Sequence, residues 1–330
     1  MSNDRRDFFK RMAGAAAALA GMETARGGGG AASAEGAVGP NARAFVAGRF
    51  ALELDESIAG FIQSTGGGDA TAEVVEEASE SCPAPKHLGK LRYEEVQISC
   101  GVGMSSAFYQ WLQTVPSCDF TRKSGAILAT DFNLKEVTRM AFTNALITEF
   151  AMPALDAASK DSALISVKFA PESTQRQKGS GQKVPSCGTK LKKWLASNFR
   201  LTIDGLDCKK VNNVDAIVIN QTATSRESGR VEIPNLAVTL PESAAQSFFD
   251  WHQDFVINGN NGSESEKSGM LEYLTPNLAE VLFTIELHHL GIFRLAPEKV
   301  EAGSENVRRV RAEMYCEQMA FKFGTGAAGC

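Results

Sequence analysis

Phe108-Tyr109-Gln110-Trp111-Leu112-Gln113 returns 140 positions later as Phe248-Phe249-Asp250-Trp251-His252-Gln253. Lys123-Ser124-Gly125, followed by Asn133-Leu134-Lys135-Glu136-Val137, returns 144 positions later as Lys267-Ser268-Gly269, followed by Asn277-Leu278-Ala279-Glu280-Val281. What persists between the blocks is apolar spacing, turns and a helix, rather than a set of catalytic residues. A building block must keep such features and an active site need not. The pattern therefore reads as two copies of one assembling domain, and the 330 residues suit two domains of the commonest size, about 100–150 residues.

Working outward, Phe108, Trp111, Leu112 and Val115 fall at i, i+3, i+4 and i+7, one apolar stripe of a helix, and Phe248, Trp251 and Phe255 share a face of its counterpart. Phe108, Trp111, Leu112, Phe248, Trp251 and Phe255 are thus the predicted core, because aromatics at helical spacing pack under a sheet rather than form a ligand platform. Ser243-Ala244-Ala245-Gln246 reads as a capping box for the second helix. Before the helices, period-2 alternation predicts strands at 45–54, 58–63 and 96–100 in one copy and 199–204, 211–219 and 236–240 in the other. A polar insert at 66–90 separates the second and third strands of the first copy.

After each helix come a Lys-Ser-Gly turn, a strand (126–130; 270–274), a turn at Asn133 or Pro276-Asn277, and a long strand (137–148; 281–290). A closing strand ends each copy, with Val167-Lys168-Phe169 echoed by Phe321-Lys322-Phe323. The fold class expected is mainly β, a β-barrel or sandwich with one flanking helix per domain, since closure removes sheet edges. Domains are placed at 41–170 and 198–324, each burying its own core, with a flexible Gln/Lys/Ser/Gly-rich linker at 171–197 that ends in a docking segment at 191–195.

Composition narrows the function. A net charge of −5 and a pI near 5.6 provide no basic footprint for nucleic acid as a primary ligand. Seven cysteines without a CxxC pair and only four histidines argue against a metal site. His252 has Leu112 in its place in the other copy, and His288 and His289 point to opposite faces of a strand. No nucleophile elbow, phosphate loop or dinucleotide fingerprint is present, so neither catalysis nor a cofactor is expected.

The N-terminus reads separately. Arg5-Arg6-Asp7-Phe8-Phe9-Lys10 resembles a twin-arginine export motif, the apolar run at 12–21 is too short to span a bilayer, and Ala32-Ser33-Ala34 suits signal-peptidase cleavage. Residues 1–34, with Arg5, Arg6, Phe8, Phe9 and Lys10 as the signal, are expected to direct the protein to the periplasm or cell exterior. A cytoplasmic location is the alternative, and no stable membrane span is expected.

With strand, helix and hairpin in that order, each copy resembles a tail-tube protein of contractile phage tails and related injection systems. The resemblance rests on Asn198-Phe199-Arg200-Leu201-Thr202-Ile203-Asp204-Gly205-Leu206, the strand-to-helix segment ending in Trp251 (Trp111 in the first copy), the Lys-Ser-Gly turn and the hairpin after it. It covers residues 45–170 and 198–323. It implies a β-barrel with a flanking helix, sheets joined between subunits into rings, rings stacked into a hollow tube, and neither cofactor nor catalysis. The implied partners are other copies of the chain and other tail or injection-system components.

Two departures stand out: the family's usual single domain is doubled here, with Glu73-Val74-Val75-Glu76-Glu77 standing where a Tyr-Arg-Glu-Gly-Gly type segment is usual, and an export signal precedes a domain type whose tubes and needles assemble in the cytoplasm. Three two-domain chains would close a six-membered ring. The competing reading is an exported β-rich module binding a glycan or cell-surface partner through loops at 66–90 or 258–267.

Overall fold

The structure, a computed structural model, describes residues 48–77, 84–185, 194–223, 229–299 and 307–324. The export motif at Arg5 to Lys10 lies outside the described residues. The described residues fall in one unit, Val46–Cys330. In the first half, β1 (Arg49–Leu54), β2 (Ser57–Ile62), β3 (Ser64–Gly67), β4 (Ala70–Glu76), β5 (Lys86–Tyr93) and β6 (Val96–Cys100) precede helix α1 (Ser106–Thr114). After it come β7 (Lys123–Thr130), β8 (Glu136–Met152), β9 (Leu155–Asp156), β10 (Ile165–Ala170) and β11 (Ser173–Lys178). The second half holds β12 (Phe199–Ile203), β13 (Asn213–Val214), β14 (Ile217–Ala223), β15 (Gly229–Glu232), β16 (Leu236–Pro241), helix α2 (Gln246–His252), β17 (Lys267–Leu274), β18 (Val281–Pro297) and β19 (Arg309–Phe323). The fold is mainly β with one α-helix in each half, as expected.

One sheet runs β2-β1-β7-β8-β10-β6-β3 and the other β12-β17-β18-β19-β16-β13-β9. The halves exchange strands: β9 closes the second sheet, while β14 and β15 join the first through β8. The strand expected at 211–219 is accordingly split, because Val214 pairs with β16 and β9 whereas Ile217 turns to β8.

Lys-Ser-Gly opens a strand rather than forming the expected turn. In both halves the ladder to the following long strand slips at this point, between Lys123 and Gly125 and between Lys267 and Gly269. A Cβ on Gly125 would stand 2.0 Å from the Glu53 carbonyl oxygen, and one on Gly269 2.6 Å from that of Thr202. Glycine is what permits the preceding strand to come so close. The next turns are also alike. Asp131 Oδ1 accepts from the backbone N–H of Asn133 and Lys135, Asn277 Oδ1 accepts from Ala279, and Leu134 and Leu278 sit at φ +64° and +57°. Farther on, both long strands bend at a left-handed residue, Asn144 (φ +47°) and His289 (φ +56°), where pairing with β7 and β17 ends.

Pairing corrects the sequence alignment in two places. Thr130 faces Glu136 while Leu274 faces Val281, so the counterpart of Glu136 is Val281 and not Glu280. Phe169 faces Ile147 as Met314 faces Ile292, so the echo of Phe169 by Phe323 is also out of register. β19 spans in one strand what β10 and β11 span in two.

The expected linker at 171–197 contains β11, which pairs with β8 from Ser173 to Lys178, and ends near Trp194, buried at 5.4 Å from Tyr273 and 5.6 Å from Phe283. The capping box is absent, since Ser243 lies inside a 3₁₀ turn (Glu242–Ala244) and α2 begins without a side-chain cap. α1 has one: Ser105 Oγ accepts from Phe108 N–H.

Separate cores for the two halves are likewise not observed. Buried apolar residues of both form one continuous cluster. Tyr109 stacks on Phe323 at 4.4 Å, Phe150 meets Phe321 at 4.6 Å, and Gln113 Nε2 donates to the Phe321 carbonyl at 3.0 Å. One face of α1 thus finds its cover partly in the other half of the chain.

Candidate functional site

All six predicted core residues are buried: Phe108, Trp111 and Leu112 on α1, Phe248 and Trp251 on α2, and Phe255 in the π-helical turn that extends it. Trp111 Nε1 donates to the Thr121 carbonyl, and Lys267 lies over the Trp251 ring at 5.4 Å. These aromatics hold helices onto sheets and offer no ligand platform.

The surface features that stand out are sheet edges. The insert at 66–90, expected as a loop, is largely the hairpin β4–β5, and among the described residues β4 pairs with no other strand. Val74 faces Leu88 and Ala72 faces Leu91 across it. Val74 is 63% exposed, Leu88 73% and Leu91 54%, an apolar face left in water. β-branched residues at 74 and 75 after a glycine run were the sequence signal for strand here, masked by flanking glutamates.

The second hairpin, β14–β15, is covered. β14 pairs with β8 from Ile217–Met152 to Asn220–Glu149, and Ile217, Ile219, Phe150 and Met152 are all buried. Gly229 of β15 sits where a Cβ would come within 2.4 Å of the Phe120 ring. Beyond the bend at His289, β18 keeps β19 on one side and has no strand partner on the other among the described residues. That open stretch exposes Phe293 and leaves Leu295 half-buried.

Among the described residues, the charged groups that meet at the surface hold one another in pairs. A cleft of about 420 Å³ is lined by Glu53, Asp55, Glu56, Ser124, Gly125 and Phe142. Its Glu53 is gripped by Arg139 at 2.6 and 3.0 Å, and its Asp55 pairs with Lys123. Burial pushes the thiols of Cys100 up to about 12 and of Cys208 and Cys316 up to about 11, so these sulfurs stay protonated. Glu266, His289 and Glu317 bring ligand atoms within 4.8 Å of one another, a grouping that adjacent His288 and His289 did not suggest. Glu266 accepts from Tyr315 at 2.8 Å and meets His289 Nδ1 at 2.8 Å, contacts that hold its carboxyl below the usual range. Among the described residues no helix is long and apolar enough to cross a membrane.

Among solved structures, a chain of the PVC extracellular contractile injection system sheath-tube complex is 18% identical, with 39% of this chain and 88% of that chain covered at a TM-score of 0.35. The anti-feeding prophage tube terminating cap is 19% identical, covering 43% and 99% at 0.36. An Hcp protein is 11% identical, covering 55% and 94% at 0.22. No curated protein matches. The described fold is mainly β, and residues 46–175 match the family model of the T4-like virus tail tube protein gp19.

Proposed function

We propose that this chain is a structural, self-assembling protein of the tail-tube type. Two tandem tail-tube-like domains join edge to edge, and copies of the chain continue the joining into rings or tubes without any catalytic step. The observation that carries this reading is the junction inside the chain, where a hairpin of the second half lies on the β8 edge of the first half and buries Ile219 against Phe150. Matching bulges at Lys123–Gly125 and Lys267–Gly269, matching left-handed leucines and matching bends support the tandem reading. Three chains would fill the six positions of a pseudo-sixfold ring. The Arg5-Arg6 motif supports an exported form, and other tail or injection-system parts are the further partners this role calls for.

Sedimentation and negative-stain imaging of the purified protein test the reading. Rings or rods are expected, and a stable monomer at micromolar concentration overturns it. Fractionating cells that carry the native chain beside an Arg5→Lys, Arg6→Lys version tests export: the native protein leaves the cytoplasm and the variant stays.

A further inference from the structure

The hairpins β4–β5 and β14–β15 occupy the same place in their halves. Thr71 pairs with Arg92 and Ala72 with Leu91, as Asn220 pairs with Glu232 and Gln221 with Val231. Upstream, Thr65 faces Ile98 as Val214 faces Val238, and both Thr65 to Thr71 and Val214 to Asn220 span six positions. The two hairpins therefore correspond as far as Ala72 and Gln221, beyond which β4–β5 carries a bulge that β14–β15 lacks, and Gly68–Thr71 stand in the place of Ile217–Asn220.

The edges that could receive them correspond as well. Ile98 faces Val167, which faces Phe150, and Val238 faces Ala312, which faces Leu295. Arg294–Pro297 of β18 thus stand where Glu149–Met152 stand in β8. One edge is filled and the other is open. β8 lies between β10 and β14 over this stretch, whereas β18 has only β19 beside it among the described residues. One hairpin is likewise docked and the other bare: Ile219 is fully buried, and Ala70 in its place is exposed.

An open strand edge is a template for another strand, and unpaired backbone N–H and C=O groups make the pairing directional. Resting on the two-domain reading above, we propose that the β4–β5 hairpin of one chain adds antiparallel to the open edge of β18 in a second copy of this chain, with Ala70 opposite Leu295 and Thr71 opposite Arg294. The junction repeats between chains the one already made within the chain. The charged residues along both edges already pair within their own chain, Asp69 with Arg176, Glu73 with Arg92, Glu76 with Lys86 and Arg294 with Glu313, so the junction rests on backbone pairing. Pro297, without an N–H, ends the ladder at Gly68. Each chain offers one hairpin and one open edge, so the contact is head-to-tail, and it closes into a ring when its rotation permits.

The register is testable by cross-linking between full-length chains. Ala70→Cys and Leu295→Cys proteins are mixed and mildly oxidised, and the linked peptides are identified by mass spectrometry so that native cysteines do not confuse the result. A Thr71→Cys protein mixed with Leu295→Cys is the out-of-register control, since a one-residue slip turns the side chain to the other face. The expected result is a 70–295 linked peptide between chains and loss of that link in the control. Oligomers without a 70–295 link overturn this junction while leaving self-assembly standing. Monomers at every concentration, with no link, overturn both.

Discussion

β14–β15 and β4–β5 are built alike and treated differently. The first rests on β8, and its apolar residues are inside the fold. The second holds Val74, Leu88 and Leu91 in water, and the β18 edge at Leu295 lies open in the same chain. The difference shows which residues serve the fold of one chain and which serve its contact with the next. Equivalent substitutions should therefore have opposite readouts. Phe150→Ala removes a fully buried ring that touches Phe321 and faces Ile219, and is expected to cost about 3–5 kcal/mol in denaturant unfolding. Because the core is continuous, both halves should unfold in one shifted transition. Leu295→Ala, at the corresponding half-buried site, is expected to cost about 1 kcal/mol or less in the monomer, the burial lost being only partial. It should weaken oligomers more than Phe150→Ala weakens them at matched folded concentration. Equal unfolding costs for the two changes would erase the distinction between a filled and an open edge.

Removing the β4 edge from play sharpens the contrast further. Val74→Asp with Leu88→Lys replaces two exposed apolar side chains by an opposed pair of charges, and changes monomer stability by about 0.5 kcal/mol or less, as exposed substitutions usually do. A charge at buried Ile219 of the second hairpin, Ile219→Asp, should by contrast prevent folding, because it would be buried without a partner. Thermal melts and soluble yield distinguish the two cases.

The recurrent glycines permit a finer comparison. Gly125→Ala drives a Cβ to 2.0 Å from the Glu53 carbonyl and 3.0 Å from the Phe142 ring, whereas Gly269→Ala meets Thr202 at 2.6 Å. Both are expected to destabilise by about 1–3 kcal/mol, as overpacking does, with Gly125→Ala the worse. Reversal of that order in unfolding midpoints would mean that the β1–β7 approach relaxes more readily than β12–β17.

Helix faces, the hairpin after each helix and the mainly β class were legible because burial imposes a period that the side chains must obey. Trp111 and Trp251 repeat for that reason. The exchange of strands was not legible, since Ile217 and Val214 look alike in sequence and only three-dimensional closure decides that one pairs with β8 and the other with β16. The Lys-Ser-Gly repeat is legible but its role is not, because glycine serves a turn and a close strand approach equally well. The one-residue offset between Glu136 and Val281 was hidden by the chance match of Glu136 with Glu280. In the open edges the signal was weakest, as exposed Val74 and Leu88 break no local rule until the matching hairpin is seen docked.

That one-residue offset also separates the halves by pH. Burial alone raises the Glu136 carboxyl, but hydrogen bonds from Arg139 at 2.9 Å and Ser180 at 2.6 Å, with the guanidinium charge, outweigh it and hold the group below its ordinary value. A depressed folded-state pKa contributes stability that is present above the unfolded value of about 4.3 and lost as pH falls through the lower folded value. Val281, at the corresponding place, has no proton to bind. Glu136→Gln should therefore lower stability at neutral pH by about 1–2 kcal/mol, the scale of a charged hydrogen bond, and flatten the acid limb of the Tm–pH curve. An acid limb equally steep in Glu136→Gln would assign the pH dependence to other carboxylates and remove this distinction between the halves.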